Sequence, residues 1–343
     1  MDRSALTPIV RPLLDWYQQQ RRRLPWREDP QPYAVWISEI MLQQTRVEAV
    51  LPYFSRFLAA FPDVKSLAAA PEEQLLKLWE GLGYYSRARN LQKAARILME
   101  RYDGQLPADA QALLRLPGIG EYTAGAIASI AFGLPEPAVD GNVLRICARI
   151  CADEEPIDTP AAKKKYREAL HPLYPPEHAG DFTQALMELG ACVCLPNGAP
   201  LCEKCPVREL CRAFQEGNQL AFPVKAPKKP RKTEERTVWL LGFQGKILLH
   251  KRPDKGLLAG LWELPNALAG EKLPLALPPE EGRACGRAVH VFSHLEWHME
   301  GRRLELAEEI PLPEGWRWVS PQELRRDYAL PSAFSFFLKQ IVL

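Results

Sequence analysis

The spacing of the apolar residues changes once along this chain, and that change divides it. Up to about Phe214 they return every three or four residues, with Pro or Gly at the breaks, which is the pattern of packed helices. From Thr237 onward they alternate, which is the pattern of strands. Between the two lies 224–233, where Lys225, Lys228, Lys229, Arg231 and Lys232 stand among Pro227 and Pro230. Such a segment resists packing and predicts an extended, solvated connector. With 343 residues the chain is also too long for one core. The expectation is an all-α domain over 1–223, a basic Pro-containing linker over 224–233 and an α+β domain over 234–343.

Helices are predicted over 33–60, 72–80, 86–101, 122–131, 142–151, 160–170 and 180–190, with no convincing strand before the connector. Beyond it, 237–243 and 246–251 flank Gly245 as a hairpin. Strands are predicted over 288–299 and 302–307, a short helix over 321–326 and a terminal one over 333–342.

Composition narrows the classes. Lys and Arg number 44 against 42 Asp and Glu, a net charge of +2, so an acidic partner must be met by local patches. The longest weakly polar run, 123–135, falls short of the ~20 residues that a spanning helix needs. The start carries Asp2, Arg3 and then Pro8 without an apolar stretch, so no secretory signal and a cytoplasmic location are expected. Eight Cys in a long chain of this kind do not read as a disulfide framework.

Three constellations carry chemistry. In Leu116-Pro117-Gly118-Ile119-Gly120-Glu121-Tyr122, two glycines between helices allow a tight turn and leave amide N–H groups at a helix start, where a phosphate binds without a cation. That suits a helix-hairpin-helix DNA contact; a plain interhelical turn is the bland alternative. The second is a pair of acids. Glu39 sits in the apolar run Trp36-Ile37-Ser38-Glu39-Ile40-Met41-Leu42, where burial would keep it protonated as a general acid requires. Asp140 precedes a helix; it reads as a cap or, alternatively, as an ionised carboxylate beside a sugar cation. The third is Cys194-x7-Cys202-x2-Cys205-x5-Cys211. Zinc modules present two Cys-x2-Cys knuckles and here only one occurs, which favours a [4Fe-4S] cluster over zinc.

The blocks Ser38-Glu39-Ile40-Met41-Leu42-Gln43-Gln44-Thr45-Arg46 and Trp79-Glu80-Gly81-Leu82-Gly83-Tyr84-Tyr85-Ser86-Arg87, the hairpin, 139–145 and the four Cys resemble MutY-type adenine DNA glycosylases. One departure is the gap from Cys194 to Cys202, longer by a residue than is common in that family. The resemblance implies a mainly α helix-hairpin-helix glycosylase with an iron-sulfur loop at 194–211 and a C-terminal α+β Nudix-like domain. It implies removal of adenine mispaired with 8-oxoguanine or guanine in duplex DNA, initiating base-excision repair, by a monomer. Glu39 would protonate adenine, Asp140 would stabilise or attack the sugar cation, and Tyr122 and Asn142 would support Asp140. The adenine pocket would hold Trp26, Arg27 and Gln184. DNA would be met by Gln44, Thr45, Leu82, Tyr84, Gly118 and Gly120, and Cys194, Cys202, Cys205 and Cys211 would hold the cluster.

In the second half, Gly256-Leu257-Leu258-Ala259-Gly260-Leu261-Trp262-Glu263-Leu264-Pro265 resembles the opening of a Nudix box. The acids that should follow are missing, since 266–279 holds just Glu271, so a degenerate domain with a binding role is expected. Phe292-Ser293-His294 resembles the loop that inspects 8-oxoguanine. The alternative enzyme is a bifunctional glycosylase/lyase of the endonuclease III type for oxidised pyrimidines. That branch carries a nucleophilic Lys where this chain has Tyr122, which favours a monofunctional enzyme.

Overall fold

The computed structural model describes residues 3–227, 230–278 and 282–341. Asp2, Lys228, Lys229, Pro279 and Val342, each within a stretch interpreted above, lie outside the described residues. Two compact units emerge, Met1–Ala69 with Asn90–Pro227, and Ala70–Arg89 with Lys228–Leu343.

Numbered in chain order, the helices up to residue 227 are α1 (Val10–Gln20), α2 (Pro25–Glu28), α3 (Pro32–Leu42), α4 (Val47–Ala60), α5 (Val64–Ala69), α6 (Glu72–Leu78), α7 (Ser86–Arg101), α8 (Ala110–Leu114), α9 (Glu121–Phe132), α10 (Gly141–Cys151), α11 (Pro160–Leu170), α12 (Ala179–Cys192) and α13 (Arg212–Gln215). The single helix expected over 33–60 is two. Leu42 ends α3, and Gln44 takes a left-handed backbone at φ 59° before α4 begins. Nothing in Gln43-Gln44-Thr45-Arg46 is a helix breaker, so periodicity ran through the bend.

Local chemistry explains the elements that carry the acids. Pro32 opens α3 at a position where its missing N–H costs nothing. Val35, Trp36, Ile37, Ile40 and Met41 are buried around it, which makes α3 a core helix rather than a surface one. α9 is built of small residues and stops at Gly133, left-handed at φ 67°. At Gly125 any Cβ would collide with the carbonyl of Pro137, so the glycine lets the extended chain that ends in Asp140 run directly against α9. Asp140 then caps α10 by accepting the Val143 N–H at 2.8 Å. A core of Leu13, Tyr17, Ile146, Tyr166, Phe182 and Leu186 joins α1, α10, α11 and α12.

The second unit centres on β1 (Lys232–Phe243), with β2 (Lys246–Lys251), β3 (Trp262–Glu263), β4 (Asn266–Leu268), β5 (Arg283–Val291), β6 (Leu295–Glu305) and β7 (Trp316–Val319). The strand order is β3-β2-β1-β6-β5, with β4 also on β1 and β7 on β2; β1 and β6 run parallel and the other pairs are antiparallel. Apolar clusters around Trp297 and around Leu248 serve the sheet. α14 (Pro321–Asp327) carries a reciprocal Ser320–Glu323 cap. The expected strand over 288–299 is a hairpin, since Phe292 N–H closes onto Leu295 O at 2.8 Å and the turn falls on Phe292-Ser293-His294, where Ser293 is a turn residue but no Gly, Pro, Asn or Asp marks the break. The expected connector also ends early: β1 begins at Lys232, because 232–234 pair with 295–297 of β6. The run over 333–342 is shorter than expected, a 3-10 turn at Ser332–Phe334 and α15 (Ser335–Leu338).

Residues 70–89 group with this sheet through specific bonds. Lys77 Nζ donates to Tyr328 O at 3.0 Å, and the Leu330 N–H donates to Glu80 Oε1 at 2.9 Å. Among the described residues no helix is long and apolar enough to cross a membrane.

Candidate active site

Glu39 and Asp140 line one cleft of about 520 Å³, together with Trp26, Arg27, Thr45, Tyr122, Asn142 and Gln184. The structure therefore gathers residues from α2, α3, α9, α10 and α12 that lie far apart in sequence. Glu39 is 4% exposed, and its carboxyl accepts a hydrogen bond from the Tyr122 hydroxyl. Burial, opposed by that bond, raised further by Asp140 and lowered by Arg27, pushes Glu39 up to about 7. A carboxyl raised in this way retains a protonated form near neutral pH, as a proton donor needs.

Asp140 is raised as well, by burial, although hydrogen bonds from Val143 N–H and from Asn142 oppose the rise. Asn142 Nδ2 reaches Asp140 Oδ2 at 2.7 Å. The expected contrast of environments is thus one of donors rather than of burial: Asp140 has amide donors that favour its carboxylate, Glu39 a single phenol. Capping and a place in the cleft are not alternatives for Asp140, which does both.

Support for Asn142 comes from Arg145, whose NH2 donates to Asn142 Oδ1 at 2.9 Å and to Gly190 O at 2.8 Å, while its Nε donates to Cys194 O at 2.9 Å. Trp26 is fixed edge-on to Phe54 at 5.1 Å, and Arg27 lies over the Tyr17 ring at 5.6 Å. Sequence reasoning missed Arg22 and Glu188 in this cleft. Glu188 sits in Ala185-Leu186-Met187-Glu188-Leu189, an acid in an apolar run, which is the signal that singled out Glu39.

A second cleft, of about 560 Å³, shares Tyr122 and Asp140 and adds Gln44, Gly120, Lys163 and Arg167. Gly118 takes φ 80°, and an added Cβ there would strike Asn90 at 2.7 Å, so the hairpin requires this glycine. Gly120 caps α9 with nothing within 4 Å of an added Cβ, which leaves the helix start bare.

In the second unit, Gly81, Gly83 and Tyr84 are all left-handed, at φ 98°, 69° and 46°. Leu82, expected to meet DNA, is buried at 7%, tucked in where Arg87 NH2 holds its carbonyl at 2.9 Å; Tyr84 is the side chain of this loop that reaches solvent, 48% exposed. A left-handed backbone at a residue other than Gly is costly and gathers at functional sites; Gln44 and Tyr84 both show it. The Tyr84 hydroxyl lies 3.1 Å from Ser293 Oγ. Phe292 anchors its turn against Trp297 at 4.9 Å, leaving Ser293 and His294 exposed. In the Nudix-like opening, Glu263 is buried and taken up by Arg252 NH1 at 2.8 Å and His250 Nδ1 at 3.3 Å, and β4 follows where the acid-bearing helix of a box would stand.

Cys194, Cys202, Cys205 and Cys211 are free thiols in one loop. Among the described residues no three His, Cys, Asp or Glu side chains converge as around a single metal ion. The donor set still suits a cluster, which takes one thiolate on each iron. It is all sulfur, Cys194, Cys205 and Cys211 pack against the helical core, and Arg149 NH1 donates to Cys194 Sγ at 3.2 Å. Burial, opposed by the Val207 N–H and aided by the neighbouring Cys194, Cys211 and Cys202, pushes the Cys205 thiol up to about 12, so binding there must displace protons.

The model of the HhH-GPD superfamily of base excision DNA repair proteins matches residues 37–173, and that of the NUDIX domain matches 237–340. The chain is 38% identical to the adenine DNA glycosylase of Homo sapiens, over 94% of this chain and 72% of that protein. It is 37% identical to the adenine DNA glycosylase of Mus musculus, over 94% and 76%. Among solved structures it is similar to a thermostable thymine-DNA glycosylase, with 28% identity and a TM-score of 0.56 over 62% of this chain and 98% of that one. Relatives of such length and identity settle the matter of kinship: this chain is a member of the adenine DNA glycosylase family.

Proposed function

We propose that this protein hydrolyses the N-glycosidic bond of adenine mispaired with 8-oxoguanine or guanine in duplex DNA, acting as a monomer and without cutting the strand. The observation that carries this reading is the shared cleft of Glu39, pushed up to about 7, and Asp140. Adenine must be extruded from the stack to reach it. Glu39 gives its proton to N7, the bond from C1′ to N9 breaks with its electron pair passing to the base, and neutral adenine leaves. The Asp140 carboxylate, held by Asn142 and Val143, stabilises the sugar cation or attacks it. Water then adds at C1′, and Glu39, now a carboxylate, takes the proton.

Trp26, Arg27 and Gln184 form the base pocket in this reading. Gln184 both donates and accepts, which suits an adenine edge. Gln44 and Thr45 contact DNA from one unit and Tyr84 from the other, with Leu82 supporting the Tyr84 loop, while Gly118 and Gly120 present α9 to a phosphate. Ser293, flanked by Phe292 and His294, reads the N7 of guanine, which oxidation turns from acceptor to donor. We assign 1–223 to the glycosylase domain, 224–231 to a linker and the chain from Lys232, where β1 begins, to lesion recognition. Cys194, Cys202, Cys205 and Cys211 would hold a [4Fe-4S] cluster, a site for electron exchange or for ordering the loop when bound. Arg149 and Arg145 tie that loop to α10.

Tyr122 offers no amine for a Schiff base, against the lyase alternative. Incubation with duplexes bearing adenine opposite 8-oxoguanine, or an oxidised pyrimidine, tests the choice. Alkali-dependent breaks at adenine support the proposal; breaks at the pyrimidine without alkali select the lyase.

A further inference from the structure

Glu188 lies in the same cleft as Glu39 and takes no part in the chemistry above. α12 places it one turn beyond Gln184 with its side chain 1% exposed, where an isolated carboxylate would not stay charged. It is far from isolated. Oε1 accepts the Arg22 backbone N–H at 3.1 Å and Arg22 Nε at 2.7 Å, and Oε2 accepts Arg22 NH2 at 2.9 Å and Arg27 NH2 at 2.9 Å. Burial pushes this carboxyl up, but the bonds from Arg22 and Arg27 prevail and hold it at about 2. The Cys192 thiol, 3.8 Å away, completes its surroundings.

The two cations are not equally dependent on it. Arg22 has a second carboxylate, the exposed Glu48, at 3.7 Å. Arg27 is 10% exposed, and its NH1 is spent on Arg22 O at 3.2 Å; among the described residues Glu188 is its ion-pair partner. Three charged or titratable groups act on Glu39: Tyr122 from α9, Asp140 at the start of α10 and Arg27 from α2. Of these, Arg27 is the cation, and a cation released toward Glu39 would turn the acid into its conjugate base.

We propose that Glu188 is a positioning residue, which fastens Arg22 and Arg27 into the pocket wall and so withholds Arg27 from Glu39. The inference rests on the assignment of Glu39 as the acid. Its test is the pH dependence of single-turnover adenine release by the full-length protein. Glu188→Gln is expected to move the alkaline limb to lower pH, losing about tenfold in rate at pH 8 and under about threefold at pH 6. Glu188→Asp, which keeps the charge, should restore the limb. An unmoved limb, or an equal loss at every pH, overturns the proposal.

If Glu188→Gln does not fold, as judged by its circular dichroism melt, Arg27→Gln and the double variant Arg27→Gln/Glu188→Gln decide. With Arg27 gone Glu188 has nothing to withhold, so the two limbs coincide; a double variant well below the single one overturns the proposal. Glu39→Gln is assayed alongside. An active Glu39→Gln protein removes the acid assignment itself, whereas an inactive one with an unmoved Glu188→Gln limb removes only this inference.

Discussion

The Tyr122 hydroxyl donates a hydrogen bond to the carboxyl of Glu39, so the buried acid is steadied by a neutral group from α9 rather than by a cation. Burial alone would drive Glu39 higher, and the phenol restrains it. Tyr122→Phe is therefore expected to shift the alkaline limb of adenine release up by about half to one pH unit, while the plateau falls about tenfold as the carboxyl loses its orientation. A pH–rate profile checks this; a downward shift contradicts it.

The same burial carries a stability cost. A carboxyl raised from 4.5 to about 7 makes no difference while both states are protonated, and destabilises the fold progressively as pH rises from about 4.5 through 7. At 1.36 kcal/mol per pH unit the full cost is about 3 kcal/mol. Glu39→Gln is expected to melt at a higher temperature than the wild type at pH 8 and at the same temperature near pH 4. Calorimetry at the two values separates this from a pH-independent packing effect.

For lesion choice, Ser293→Ala removes the exposed hydroxyl at the β5–β6 turn without touching the Phe292 anchor on Trp297. The ratio of affinities for duplexes with adenine opposite 8-oxoguanine and opposite guanine should fall about tenfold, within the ~1–3 kcal/mol that one base-edge contact supplies. An unchanged ratio places the discrimination elsewhere.

The cysteine loop makes an analytical prediction. The purified protein should be brown and contain iron and acid-labile sulfide in equal amounts, and removal of the iron should lower its melting temperature. Stoichiometric zinc without sulfide would overturn the cluster assignment.

Much of this was legible in the chain because burial marks acids sharply. Glu39 in an apolar helix and Asp140 before another could each be found by pattern, and the four Cys by spacing. Other features depend on partners that no local pattern names. Glu188 carries the same local mark, an acid in an apolar run, but its role shows only when Arg22, 166 positions earlier, is seen to grip it. The bend at Gln44 and the turn at Phe292-Ser293-His294 were hidden for a different reason: neither holds the Gly or Pro that marks most breaks. The grouping of 70–89 with the sheet is likewise fixed by Lys77 and Glu80 bonding to backbone of 328–330, which composition cannot reveal.

In the proposed mechanism, release of the base depends on a proton delivered by one buried carboxyl. The most direct measurement of this dependence is single-turnover excision by wild type and Glu39→Gln on the same duplex with adenine opposite 8-oxoguanine, with DNA binding followed in parallel. The expected result is loss of adenine release by the variant with binding within about threefold of wild type. Excision by Glu39→Gln at the wild-type rate would contradict the account.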